Sequence, residues 1–264
     1  MKNITVFTGN QPRHLALIKE LSKVCDKLYA VIESSTVNTG KVQDFYNKSP
    51  IMQDYFSEVI KSEKILFGNL SFLPENVIPL VIKMGDLNFI DFTLLKKSLN
   101  SDLYIVFGSS YIKGDLIDFL TEKKAINIHM GVSPFYRGSS CNFWAIKNED
   151  YDYVGSTIHM LSKGLDSGDM LFHALPSYEP NPFNYTMKAV KAAHIGLINH
   201  IKNNSLNSLN KIKQNKDSEI SYTKRVDFTD EVAAGFLNKK ISLDFFKLKV
   251  EERNLSEFTN PFVY

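Results

Sequence analysis

The chain has 264 residues, 44% hydrophobic and 12% aromatic, with a formal net charge of +2. That length and apolar share suffice for a full core, in one large domain or a large one with a small companion, and exclude a disordered chain. A charge this close to neutral exerts little long-range pull on a polyanion, which argues against a nucleic-acid substrate.

Ile4 to Phe7 is an apolar run that breaks at Thr8-Gly9-Asn10-Gln11-Pro12, after which Leu15, Ile18, Leu21 and Val24 recur at helical spacing. Strand, turn and helix in that order open a Rossmann-like unit, and Leu28 to Ile32 reads as a second strand, so a largely parallel sheet is expected. The Gly9 turn lacks the G-x-G-x-x-G dinucleotide fingerprint, yet the helix start behind it suits an anion, with Gly9, Asn10, Arg13 and His14 as candidates to hold one. The opening Met1 to Phe7 is strand-like rather than a signal core, and Cys25 and Cys141 lie too far apart for a disulfide framework. A cytoplasmic protein is therefore expected, with no apolar run near the roughly 18 residues of a membrane span.

Between Thr36 and Phe72 the pattern loosens. Phe45, Tyr46, Ile51, Met52, Tyr55, Phe56, Val59 and Ile60 suggest one or two amphipathic helices interrupted near Pro50, in an insertion over the mouth of a site. Val77 to Lys83 and Leu103 to Gly108 read as strands, and the loop Ser109 to Gly114 follows the second of them. Ligands of open α/β sheets sit beyond the carboxyl ends of strands, where this loop emerges; a turn capped by Ser110 is the plain alternative.

The most informative segment comes next. Ala125-Ile126-Asn127-Ile128-His129 alternates like a strand, so Asn127 and His129 project from one face. Val154 to Leu161 alternates likewise and runs into Gly164-Leu165-Asp166-Ser167-Gly168-Asp169. An amide, an imidazole and a carboxylate are what attack of an amine on an acyl carbon requires: a donor for the oxyanion, a ring that polarises or moves protons, and a group that orients it. A metal is not expected. His129 and His159 lack cysteine or carboxylate partners at ligand spacing, and H-E-x-x-H is absent.

The ordered whole, INIHMGVSPFYRG followed by VGSTIHMLSKGLDSGDML, resembles the folate-dependent formyltransferase family. That family includes glycinamide ribonucleotide transformylase, methionyl-tRNA formyltransferase and the sugar-nucleotide N-formyltransferases. The likeness is dense from Leu103 to Leu171. It implies that Asn127 donates to the oxyanion, that His129 polarises the formyl carbonyl or moves protons, and that Asp166 holds His129 and handles the amine proton. It further implies 10-formyltetrahydrofolate as the donor, its pterin lying against Tyr111, Ile112 and Lys113 on one side and Ser162, Lys163, Gly164 and Leu165 on the other.

The acceptor is read from Tyr136-Arg137 and from Ser139 to Ala145, which looks more like the asparagine-aromatic-tryptophan segment of the sugar-nucleotide enzymes than the alanine-proline stretch of the tRNA enzymes. Tyr136, Arg137, Asn142 and Trp144 are the candidates there, an arginine being suited to a diphosphate. The expectation is an α/β, Rossmann-like catalytic domain over 1–203 with a small C-terminal region, 204–264. It would formylate a nucleotide-linked amino sugar, with a dTDP-linked 4-amino-4,6-dideoxyhexose for surface polysaccharide as the specific guess. The alternatives are another small amine, Met-tRNA, or a folate-binding module without turnover. Lys202 to Lys216 has the composition of a solvated linker, and the apolar residues beyond it suit packing or a homodimer contact.

Overall fold

The computed structural model describes residues 2–35, 48–69 and 72–264. In chain order, β1 (Asn3–Gly9) leads into α1 (Pro12–Ser22), β2 (Lys27–Ser34), α2 (Pro50–Phe67), β3 (Val77–Lys83), the single turn α3 (Phe92–Leu95) and β4 (Leu103–Phe107). Then come α4 (Gly114–Glu122), β5 (Ile126–His129), β6 (Tyr136–Gly138), α5 (Cys141–Lys147), β7 (Ser156–Met160), β8 (Met170–Leu175) and α6 (Pro182–Lys202). The chain closes with β9 (Ser221–Thr223), α7 (Asp230–Leu237), α8 (Leu243–Glu251) and β10 (Phe262–Val263). No helix among the described residues is long and apolar enough to cross a membrane.

Eight strands form one sheet in the order β10-β8-β7-β5-β4-β1-β2-β3. Strands β3 through β5 pair in parallel, β7 runs antiparallel to both β5 and β8, and β10 returns parallel to β8. The expected α/β class with a largely parallel sheet holds. Ile4 and Val6 of β1 and Ile105 of β4 are fully buried among Leu17, Ile18 and Leu21 of α1, as sheets covered on both faces require. From β1 the chain builds outward to β2 and β3, then returns to lay β4 and β5 on the other side. The loops after β1 and β4 diverge at this switch point and leave a crevice at the carboxyl ends of the strands.

Pro50 does not interrupt a helix. It is the first residue of α2, where its missing N–H costs nothing, and Ser49 caps the end by accepting from the Met52 N–H at 3.3 Å. Phe45 and Tyr46, expected in the same helical stretch, lie outside the described residues.

The residues after α6 are stitched back onto what precedes them. β9 pairs in parallel with β6, α7 packs against α2, and Phe236 and Phe246 enter a second core with Tyr55, Phe143, Tyr151 and Tyr185. Gly138 makes the β6 to β9 approach feasible: its φ is +90°, and a Cβ there would stand 2.0 Å from the Thr223 carbonyl oxygen.

Candidate active site

Strand alternation puts Asn127 and His129 on one face of β5, and the antiparallel register sets Asn127 opposite His159 of β7. Asp166 arrives from the β7 to β8 loop with φ +44°, a left-handed conformation that aspartate tolerates better than most residues. Gly168 lets that loop turn tightly, since a Cβ on it would sit 1.7 Å from the Met160 carbonyl oxygen.

These elements meet at one carboxylate. Asn127 Nδ2 donates to Asp166 Oδ1 at 3.0 Å, and His129 Nδ1 lies 3.2 Å from Asp166 Oδ2. The second nitrogen of His129, Nε2, lies 3.4 Å from Cys141 Sγ, whose thiol is also 3.4 Å from the Gly138 carbonyl oxygen. Asn127 Nδ2 is in addition 2.9 Å from His159 Nε2, while His159 Nδ1 faces the Met160 carbonyl oxygen at 2.9 Å.

The electrostatics follow from burial and partners. Burial alone would lower the His129 pKa, but the Asp166 carboxylate, with a smaller contribution from Cys141, outweighs it and holds the ring well above its usual range. Burial opposes ionisation of Asp166 too, and above all the charge and hydrogen bond of His129 override it, holding the carboxyl well below the usual range. The pair therefore rests as imidazolium and carboxylate.

Asn127, His129, His159 and Asp166 all line a cavity of about 1230 Å³. Single-ligand pockets typically span about 300–1,000 Å³, and this cavity exceeds that range. Of the predicted pterin residues, Tyr111, Ile112, Ser162, Gly164 and Leu165 line it. The two walls touch where the Tyr111 hydroxyl donates to the Lys163 carbonyl oxygen. Together with Val106, Ile117 and Leu161 they make an apolar slot bordered by backbone groups, which fits a flat heterocycle. Lys113 and Lys163 are not part of its lining. Lys113 occupies the N-cap of α4, its N–H bonded to Asn88 Oδ1 at 2.7 Å, and Lys163 pairs with Asp118 at 2.6 Å. Ser110 caps no helix; its N–H and hydroxyl donate to the buried Glu33, which also accepts from the Gly85 N–H at 2.9 Å.

The predicted acceptor residues mostly lie elsewhere. Only Arg13 lines the cavity, paired with Glu63 of α2. Gly9 sits behind it in the β1 to α1 turn, and Asn10 is spent on Ser34 Oγ and the Ser35 backbone. Tyr136 is buried against Asp150, and Arg137 binds Glu219 at 2.9 Å and stacks over Tyr222. Asn142 accepts from the Gly155 N–H at 3.0 Å, and Trp144 packs on Phe143. The reason is local: after Gly138 the chain turns inward, so the cavity receives Gly138 and Ser140 while the side chains around them face the aromatic core. His14 lines the cavity, but burial, then Arg13 and His194 close by, keep its pKa well below the usual imidazole range, so it brings no charge to an anion.

Four further residues shape the site. His159 was visible as the cross-strand neighbour of Asn127 had the two strands been paired. Gln214, Arg225 and Glu33 carried no local signal. Arg225 comes from the turn after β9 and lines the cavity with Lys48, Lys83 and Arg13; among the described residues Asp166 is the one carboxylate in that lining.

Known proteins resemble this chain in sequence and in fold. A family model described as formyl transferase matches residues 92–194, the stretch that carries Asn127, His129 and Asp166. The methionyl-tRNA formyltransferase of Caldanaerobacter subterraneus is 32% identical over 130 residues, which cover 48% of this chain and 41% of that protein. The chain thus spans less than half the length of that relative. Among solved structures, a sugar N-formyltransferase from Shewanella shares the fold with a TM-score of 0.52 at 16% identity, covering 100% of this chain and 92% of that one. The N-formyltransferase of Helicobacter canadensis, solved with folinic acid and dTDP-3-aminofucose, does so with a TM-score of 0.50 at 15% identity, covering 96% and 80%.

Proposed function

Residues 92–194 belong to the formyl transferase family, and on that premise we propose that the protein moves a formyl group from 10-formyltetrahydrofolate to the amine of a nucleotide-linked amino sugar. The observation that carries this is the single carboxylate, Asp166, bonded at once to Asn127 and His129 on the wall of a cavity of about 1230 Å³.

When bound, the folate supplies a formyl carbon on its N10. The new bond joins the amine nitrogen to that carbon and the bond to N10 breaks. Asp166 takes the proton the amine nitrogen sheds, and His129 gives one to N10, so protons and electrons balance. Asp166 holds the Nδ1 side of His129, which leaves the imidazolium Nε2–H first to meet the negative charge that would develop on the formyl oxygen and then to pass to N10 as the bond to it breaks. A donor at that oxygen typically contributes about 10²–10³ in rate. Holding donor and acceptor in contact contributes through effective molarity.

Support for a nucleotide sugar comes from charge and size. Among the described residues, Lys48, Lys83 and Arg225 border the cavity with Arg13, which is paired with Glu63, and Asp166 is the carboxylate in the lining, a balance that suits an acceptor bearing phosphate. The specific acceptor is a dTDP-linked 4-amino-4,6-dideoxyhexose, in a cytoplasmic step toward surface polysaccharide. The sequence match to a methionyl-tRNA formyltransferase favours Met-tRNA as the second reading.

One assay separates them. The chain is supplied with 10-formyltetrahydrofolate and, separately, dTDP- and UDP-linked amino sugars, glycinamide ribonucleotide and Met-tRNA, and the formamide product is read by mass spectrometry. Formylation of a dTDP-amino sugar is expected; formylation of Met-tRNA alone would overturn the acceptor.

A further inference from the structure

We propose that His159 is a positioning residue: it fixes the Asn127 carboxamide with both N–H bonds turned into the protein and its carbonyl oxygen turned to the acceptor amine. The word amine rests on the formyl-transfer reading. The orientation of the amide does not.

The orientation follows from two sides. The Met160 carbonyl can only accept, so His159 Nδ1, 2.9 Å away, carries a hydrogen. Nε2 lies 3.6 Å from Asp166 Oδ1, beyond hydrogen-bond reach, so its partner is the Asn127 atom 2.9 Å away; with the ring hydrogen on Nδ1, Nε2 offers that atom a lone pair and the atom is an N–H donor. From the other side, Asp166 Oδ1 is 3.0 Å from the same atom. Were the amide flipped, its carbonyl oxygen would face a carboxylate oxygen at that distance with no hydrogen between them. Two independent acceptors thus select one orientation, and both Asn127 hydrogens are consumed.

Packing holds the arrangement. His159 is 1% exposed and stands opposite Asn127 in the β5 to β7 register. The bare Cα of Gly168 lies close against it, since a Cβ there would come 3.3 Å from Nδ1. The Asn127 oxygen is not among the unpartnered polar atoms sealed from solvent, and Asn127 lines the cavity. An oxygen so placed accepts one N–H of the incoming amine and turns the nitrogen lone pair toward the formyl carbon. It cannot donate to an oxyanion. On this reading that duty passes to His129, in place of the role the family resemblance implies for Asn127.

The test begins with the full chain free of substrate. Long-range proton–nitrogen NMR spectra, with the His159 signals assigned by their loss in His159→Gln, should show a hydrogen-bearing Nδ1 and a bare Nε2. A hydrogen on Nε2, alone or with one on Nδ1, would overturn the proposal. Steady-state kinetics form the second arm. His159→Leu removes the acceptor and should lower kcat by about 10²-fold, the scale of a misplaced reacting group, with the KM for the folate unchanged. His159→Gln supplies an oxygen acceptor in the place of Nε2 and should restore most of that loss. Equal kcat in the two variants would sink the idea, and if the leucine variant does not fold, the spectrum decides. Should no amine be formylated at all, the spectrum still reports the amide orientation, so the two readings fail separately.

Discussion

Gln214 holds the loop of Asp166: its Nε2 donates to the Asp166 carbonyl oxygen at 2.7 Å and to the Gly168 carbonyl oxygen at 2.9 Å. The loop is in a left-handed conformation at Asp166, and this side chain ties the carbonyls of Asp166 and Gly168 together, beside the bonds of Ser162 to Gly164 and Ser167, so it helps to set where the carboxylate stands. Gln214→Ala leaves two carbonyls without their partner, a loss of about 1–3 kcal/mol if water cannot replace it. Because displacement of a catalytic group by about 1 Å costs up to about 10²-fold, kcat should fall by about 10-fold or more while KM for both substrates moves little. Steady-state kinetics beside a thermal melt check this; an unchanged kcat would reduce Gln214 to surface packing.

The coupling of His129 to Asp166 predicts a pH signature. The raised pKa of His129 keeps it protonated through neutrality, so kcat/KM should hold there and fall only on the alkaline side, as the imidazolium is lost. Asp166→Asn removes the carboxylate and leaves burial to dominate, which moves that limb to lower pH and lowers turnover by about 10²–10⁴-fold. Stability follows the same pair with the signs separated. The share of His129 is complete below its ordinary 6.5 and is lost as pH rises through its raised folded value. The share of Asp166 is complete above its ordinary 3.8 and is lost as pH falls through its lowered value. Both are fully present between those ordinary values, and a melting temperature in Asp166→Asn that tracked wild type across the whole pH range would contradict the pairing.

The strands and the pairing of Asn127 with His129 were legible because a period-2 pattern decides both burial and face. The reach of Asp166 to them was implied by likeness and not by spacing, since a loop closing back on a strand leaves no periodic trace. Gln214 illustrates the limit. It sits in a run of lysines and asparagines with the composition of a solvated linker, and only the bridge between Ile212 and Met170 brings it to the site. Arg137 and Asn142 failed in the opposite direction: both are residue types suited to an acceptor site, and both are consumed by Glu219 and by the Gly155 backbone.

Cys141 stands against the working nitrogen of His129, Sγ to Nε2 at 3.4 Å. With its hydrogen directed to the Gly138 carbonyl, the sulfur is a weak acceptor that parks the Nε2–H until the formyl oxygen displaces it. Cys141→Ser puts a stronger acceptor in that place, so it should compete for the proton and lower kcat several-fold, whereas Cys141→Ala should leave kcat at or above wild type. Kinetics of the two variants under reducing conditions decide the matter. A serine variant faster than the alanine variant would show that the thiol does not oppose transfer.

Arg225 reaches the cavity only because β9 is zipped to β6, with Ser139 N–H donating to the Thr223 carbonyl oxygen at 2.8 Å just ahead of it. Among the described residues no carboxylate pairs with it, and its side chain is exposed at the cavity edge. An unpaired guanidinium there is suited to a phosphate-bearing acceptor by paired hydrogen bonds. Arg225→Ala should therefore raise the acceptor KM by about 10-fold, the scale of a lost charged hydrogen bond, without changing kcat or the folate KM. Arg225→Glu should raise it further, and Arg225→Lys should recover part of the loss, because lysine keeps the charge but not the fork. Added salt should narrow the gap between wild type and the alanine variant, since an exposed cation is screened within about 8–10 Å at ordinary ionic strength. If the folate KM rises instead of the acceptor KM, Arg225 borders the donor and the anionic end of the acceptor must be sought at Arg13 and Lys48.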